Sequence, residues 1–216
     1  MLLSEMVLGK DYNAAQLRDE AGRWSDVSGS GSSTGAVVMK PTTDYARTRA
    51  KEITRVVTNR GEFTSPSEEQ VERVASLLSQ HDEKVVRAVR GIHIASGSIA
   101  FAGEYKRAGA EGPSVGTVAF WDKKYDRITL RSNYDGETFH HEMGHAAWQN
   151  SFKKGIWSKP HREDPKFDRH TSYSEEDMDE AFSESYSAWV SSGGRASEPR
   201  YQRTFDAVSG VVNGIP

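Results

Sequence analysis

The stretch Thr138-Phe139-His140-His141-Glu142-Met143-Gly144-His145-Ala146-Ala147-Trp148 decides how the rest of the chain is read. It holds His141-Glu142-x-x-His145, and on a helix positions four apart lie one above the other on the same face. Two imidazoles so placed can reach one Zn2+, and Glu142 beside them can take a proton from water. Asp135 is a fitting N-cap for this helix. A glycine in mid-helix costs about 1 kcal/mol against alanine, so Gly144 is expected where a neighbouring segment comes close.

A hydrolytic zinc site takes three protein ligands and leaves a fourth position open for water. The chain has no cysteine, so histidine and carboxylate must supply all of them. A metzincin extension needs Gly at position 148 and His at 151, where this chain has Trp148 and Ser151. A thermolysin-like spacing of about twenty residues falls on Pro165, with Glu163, Asp164 and Asp168 nearby in a polar loop. A more distant helix offers Glu180 and Glu184 within Asp179-Glu180-Ala181-Phe182-Ser183-Glu184. These two lie one turn apart on one face. One of them is expected to coordinate, and the other to accept the remaining ring N–H of a ligating histidine.

His141-Glu142-Met143-Gly144-His145-Ala146, then Thr171-Ser172-Tyr173, then Glu180-Ala181-Phe182-Ser183-Glu184 together resemble the catalytic domain of the anthrax lethal factor family of gluzincin metallopeptidases. The resemblance spans roughly residues 90–190. It implies Glu180 as the third zinc ligand, Glu184 in the supporting position one turn later, and Tyr173 as the group that steadies the oxyanion. Val118-Ala119-Phe120-Trp121 resembles the substrate-binding edge strand of gluzincins, which implies an extended peptide lying along residues 115–121. No toxin-delivery or cell-entry region of that family is recognisable, which bears on biological role more than on chemistry. His140, His161 and His170 lie near these motifs and read as polar surface residues rather than ligands.

Elsewhere the signals are coarser. Residues 1–40 are expected to form a flexible tail, since Ser25–Gly35 has linker composition. Within it Gln16–Trp24 resembles a short stretch of tailed-phage structural and head-associated proteins, which implies a phage particle as a partner. A helix is expected over Thr43–Arg60 with Tyr45, Ile53, Val56 and Val57 on one side. Another follows Ser65-Pro66-Ser67-Glu68, with Ser65 as cap and Val71, Val74, Leu77 and Leu78 as its stripe. A short third carries Val85, Val86 and Val89. Strands are expected at Ile92–Ile94, Ser98–Phe101, Val115–Trp121 and Arg127–Arg131, with His93 a sheet residue rather than a ligand. Helices over about Glu176–Val190 and around Tyr201–Val212 close the chain.

With 216 residues, 36% hydrophobic and 27% charged, and a net charge of −3, the chain is long enough for a sizeable core. That charge gives no reason to expect nucleic acid. The first eight residues are too short and too soon interrupted for a signal peptide, and no apolar run approaches a membrane span. The expected location is therefore a host-cell cytoplasm or a virion, with no membrane partner. The sequence reading is an α+β zincin fold of the gluzincin kind over residues 41–216. It comprises a small mixed sheet with an edge strand, the H-E-x-x-H helix and a helical C-terminal part. The expected function is Zn2+-dependent hydrolysis of a protein or peptide, with His141, His145 and Glu180 on the metal, Glu142 and Tyr173 as catalytic groups, and Glu184 behind a ligand. The alternative is a phage-particle structural protein with a structural or vestigial zinc site.

Overall fold

The computed structural model describes residues 41–109, 113, 116–157, 178–196 and 199–216. The N-terminal tail, the Gln16–Trp24 stretch, His161, His170, Thr171, Ser172 and Tyr173 lie outside the described residues.

Helix α1 (Thr43–Ile53) starts where the Thr42 hydroxyl accepts from the Tyr45 N–H and buries Ala46, Ala50 and Ile53. It does not run on to Arg60 as expected. At Thr54 the backbone turns extended, with φ −86° and ψ 135°, and Thr54–Val57 forms strand β1. The β-branched run favours the pleated conformation once a sheet neighbour is available. Strand β2 (Phe63–Thr64) pairs antiparallel with it.

Helix α2 (Glu68–Leu78) opens with a complete capping box, but on Ser67 and Gln70 rather than on Ser65 and Glu68. It buries Val71, Val74, Ala75 and Leu78. Helix α3 (Glu83–Ala88) is capped by Asp82, and strand β3 (Gly91–Ala95) follows. Ser98–Phe101, expected as a strand, is instead the first turn of helix α4 (Ser98–Arg107). Its buried residues Ala100, Phe101 and Glu104 fall on one helical face, while Ile99 is 70% exposed. Strands β4 (Ala119–Asp122) and β5 (Arg127–Arg131) form the expected hairpin, with β4 shorter than the 115–121 reading.

The sheet order is β2-β1-β3-β5-β4. The inner three strands are parallel and the two outer ones antiparallel to their neighbours, which makes β4 an edge. Alternation of side chains sends Ile92, Ile94, Ile128 and Leu130 to one face, into the main core. The other face carries Val57, Ala95 and Phe120, which pack with Ala100 and Phe101 of α4. There Glu104, fully buried, accepts from His93 Nδ1 at 2.7 Å and pairs with Arg107 and Arg127, and Arg127 in turn holds Asp122 at 2.8 Å. His93 is thus a satisfied sheet residue, as read.

Helix α5 (Gly136–Asn150) carries the H-E-x-x-H motif and is capped by Asp135, which accepts from the Thr138 N–H at 2.8 Å. It lies between the sheet and helix α6 (Met178–Ser191), so residues on most of its circumference are buried. Helix α7 (Pro199–Val212) docks last, with Phe205, Val208, Val211 and Val212 in the core. The molecule is α+β with a five-stranded mixed sheet. Among the described residues no helix is long and apolar enough to cross a membrane.

Candidate metal centre

Helices α5 and α6 meet at Gly144. A Cβ built on Gly144 would stand 2.7 Å from the Cα of Ser183, closer than real side chains approach a backbone. The expected close approach is therefore present, and α6 is the segment that makes it. Because Gly144 sits one residue before His145, and Ser183 between Glu180 and Glu184, this crossing lays the acidic face of α6 against both histidines.

His141 Nε2 and His145 Nε2 stand 3.1 Å apart. Oxygens of the Glu180 carboxylate lie 3.2 Å from the first and 3.6 Å from the second. His141, His145 and Glu180 form a group whose ligand atoms fall within 4.8 Å of one another. On the far side of each ring a carboxylate faces Nδ1. His145 Nδ1 is 2.7 Å from Asp179 Oδ1, and His141 Nδ1 is 3.3 Å from Glu184 Oε1.

A carboxylate only accepts, so each Nδ1 must carry the hydrogen and each neutral ring turns a lone pair outward at Nε2. Two lone pairs and a carboxylate oxygen then face one point, an arrangement that repels itself unless a positive charge is shared among them. The same field acts on protons. Burial lowers the His141 pKa, but hydrogen bonds to Glu180 and Glu184 overcome it and push the value up to about 10. His145 is likewise raised, by Asp179 and the Glu142 charge, against its burial. A divalent cation answers the same demand, with release of those protons. Two nitrogens on one tetrahedral zinc at about 2.0–2.1 Å each lie roughly 3.3 Å apart, near the distances seen here. The residues fit the ion.

Glu142 is 6% exposed, and its Oε2 finds no hydrogen-bond partner among the described residues. Burial raises its pKa, with His145 and His141 opposing that shift. A buried carboxylate with spare acceptor capacity beside the histidines is the right group to take up a proton. A cavity of about 400 Å3 borders these groups, lined by His141, Glu142, His145 and Glu180 on one side and by Ala119, Phe120 and Trp121 on another.

Sequence reasoning brought His141, Glu142, His145, Glu180 and Glu184 to one place, and the structure assembles all five. It places Glu180 toward the two Nε2 atoms and Glu184 behind His141. Two residues were missed. Asp179 backs His145, and Gln149 Nε2 donates to the other oxygen of Asp179 at 2.5 Å. The requirement that each of two ligating histidines have its own Nδ1 partner was the available signal. His140, expected on the surface, is 5% exposed: its Nδ1 lies 3.0 Å from His81 Nε2, and His81 Nδ1 lies 2.8 Å from the Tyr186 hydroxyl. Burial lowers the His140 pKa to about 4, so it sits in the core as a neutral ring.

Comparison of the chain with protein-family models, with curated proteins and with solved structures finds no match in any of the three.

Proposed function

We propose that this chain is a zinc-dependent metallopeptidase of the gluzincin kind, with a zincin arrangement of sheet, α5 and α6. The observation that carries the reading is the convergence of His141 Nε2, His145 Nε2 and Glu180 on one point, with each imidazole backed by a carboxylate. Zinc held there would act as a Lewis acid toward water and the scissile carbonyl.

The remaining chemistry belongs to side chains. Glu142 accepts the proton of the attacking water and passes it to the leaving amine. Its burial and raised pKa suit a group that must both take and give a proton. The resemblance assigns oxyanion stabilisation to Tyr173.

The substrate reading rests on strand β4. Arg131 N–H donates to Val118 O at 2.8 Å, and Phe120 and Asp122 are opposite Thr129 and Arg127. By antiparallel alternation Val118, Phe120 and Asp122 turn their backbone groups toward β5, whereas Ala119 and Trp121 turn theirs to the open edge. A peptide in extended form can pair with those two residues beside the cavity. The partner is accordingly a protein or peptide, in a host cytoplasm or on a phage particle.

A structural or vestigial zinc in a phage-particle protein is the competing reading. A structural site is closed by a fourth protein ligand. Among the described residues three ligands converge and a cavity adjoins them, which favours catalysis.

The test is twofold. Elemental analysis after zinc reconstitution and dialysis should give about one zinc per chain, and chelation should lower thermal stability. A peptide library should be cleaved by the wild type and left intact by Glu142→Gln, whose amide cannot accept the proton. Absence of bound zinc, or equal cleavage by Glu142→Gln, would overturn the proposal.

A further inference from the structure

We propose that Asp179 and Gln149 are positioning residues for the metal site, Gln149 steadying the Asp179 carboxylate and that carboxylate fixing the tautomer and tilt of His145. The inference rests on the zinc reading above and deepens it. His145 Nδ1–H donates to Asp179 Oδ1 at 2.7 Å, and Gln149 Nε2–H donates to Oδ2 at 2.5 Å. Both donors come from α5, one helical turn apart, and the acceptor comes from α6. The carboxylate is therefore gripped through both oxygens by two points on the facing helix, which sets its position and its plane.

The two histidines are not equally held. The His141–Glu184 contact is longer, at 3.3 Å, and comes from a side chain with one more rotatable bond than aspartate. Asp179 also adjoins Glu180 in the chain, so whatever moves it moves a ligand as well. Through this one side chain the orientation of His145 and the backbone carrying Glu180 are tied together. Its short reach makes that tie stiff. Asp179 and Gln149 both border the cavity, where an aspartate serving only solubility would gain nothing from an amide clamp.

The experiment uses the full chain. Zinc affinity is measured by competition with a chromophoric chelator, and the visible absorption of the Co2+-loaded protein reports ligand geometry. Asp179→Ala is expected to weaken zinc binding by roughly 10–100-fold and to shift the Co2+ bands. Asp179→Asn, whose amide oxygen still accepts from Nδ1–H, should recover most of that loss. Gln149→Met keeps length and removes the donor. It should weaken binding by roughly three- to tenfold, the scale of one hydrogen bond, and it serves if Asp179→Ala fails to fold. Wild-type affinity and an unchanged Co2+ spectrum in Gln149→Met and in Asp179→Ala, or in Gln149→Met alone if Asp179→Ala fails to fold, would overturn the inference while leaving the zinc reading intact. A wild-type protein that takes up neither metal overturns the zinc reading itself, and this inference with it.

Discussion

Ser183 Cα stands 2.7 Å from the point where a side chain on Gly144 would begin. Replacing Gly144 by alanine sets two effects against each other. Helix propensity favours alanine by about 1 kcal/mol, while overpacking against a backbone atom costs about 1–3 kcal/mol. Ser183 is fully buried and cannot swing aside as a flexible side chain would. Gly144→Ala should therefore lose stability in denaturant titration and bind zinc more weakly, because Glu180 is carried away from the histidines. A variant that melts later than wild type would show that α6 yields freely at this point.

Glu180 and Glu184 should separate cleanly on mutation. Glu180 faces both Nε2 atoms, and Glu184 faces His141 Nδ1. Glu180→Ala is expected to abolish tight zinc binding, and Glu184→Ala to weaken it by roughly 10–100-fold. Equilibrium dialysis measures both. Retention of zinc by Glu180→Ala together with its loss from Glu184→Ala would reverse the two roles.

Tyr173 lies outside the described residues, so its role is tested by kinetics. Tyr173→Phe should leave zinc content alone and lower kcat by roughly ten- to a thousandfold, on the scale of one oxyanion donor. An unchanged kcat would remove it from the mechanism.

On the other face of the sheet, Glu104 predicts an acid response. Burial raises its pKa, but His93, Arg127 and Arg107 outweigh that and hold it below its ordinary value of 4.5. A depressed folded-state pKa contributes stability that is complete above the unfolded value and is lost as pH falls through the folded one. Glu104→Gln should thus be less stable than wild type at neutral pH, and the gap should narrow below about pH 4.5. Thermal unfolding across that range checks it, and a gap that widens toward low pH would contradict the network.

Much of this was legible in the residues. The H-E-x-x-H spacing with Asp135 as cap identified α5, and the stripe Val71, Val74, Leu77 and Leu78 identified α2. The failures have physical causes. Ile53, Val56 and Val57 recur at helical spacing, so periodicity alone cannot reveal that the chain leaves the helix at Thr54. Ser98–Phe101 is too short to separate a period of two from 3.6, and its N-cap Gly97 offers no side-chain hydrogen bond to announce a helix. Phe101, Glu104 and Tyr105, at i, i+3 and i+4, held the better clue. For the site, the motif and the resemblance pointed to His141, His145 and Glu180 as candidate ligands, whereas Asp179 and Gln149 emerge from the crossing of α5 and α6.

The open side of β4 has a cost at high concentration. Ala119 and Trp121 turn their backbone groups away from β5, where any extended segment could pair with them, including the same strand of another molecule. The strand is only four residues long and is followed at once by Lys123 and Lys124, so two copies pairing in parallel would bring like charges together, whereas an antiparallel pair would keep them at opposite ends. Self-pairing is therefore discouraged but not forbidden. Because such a pair would cover both clefts at once, the proposed hydrolysis would fall per molecule as the protein crowds, each copy blocked by its own twin.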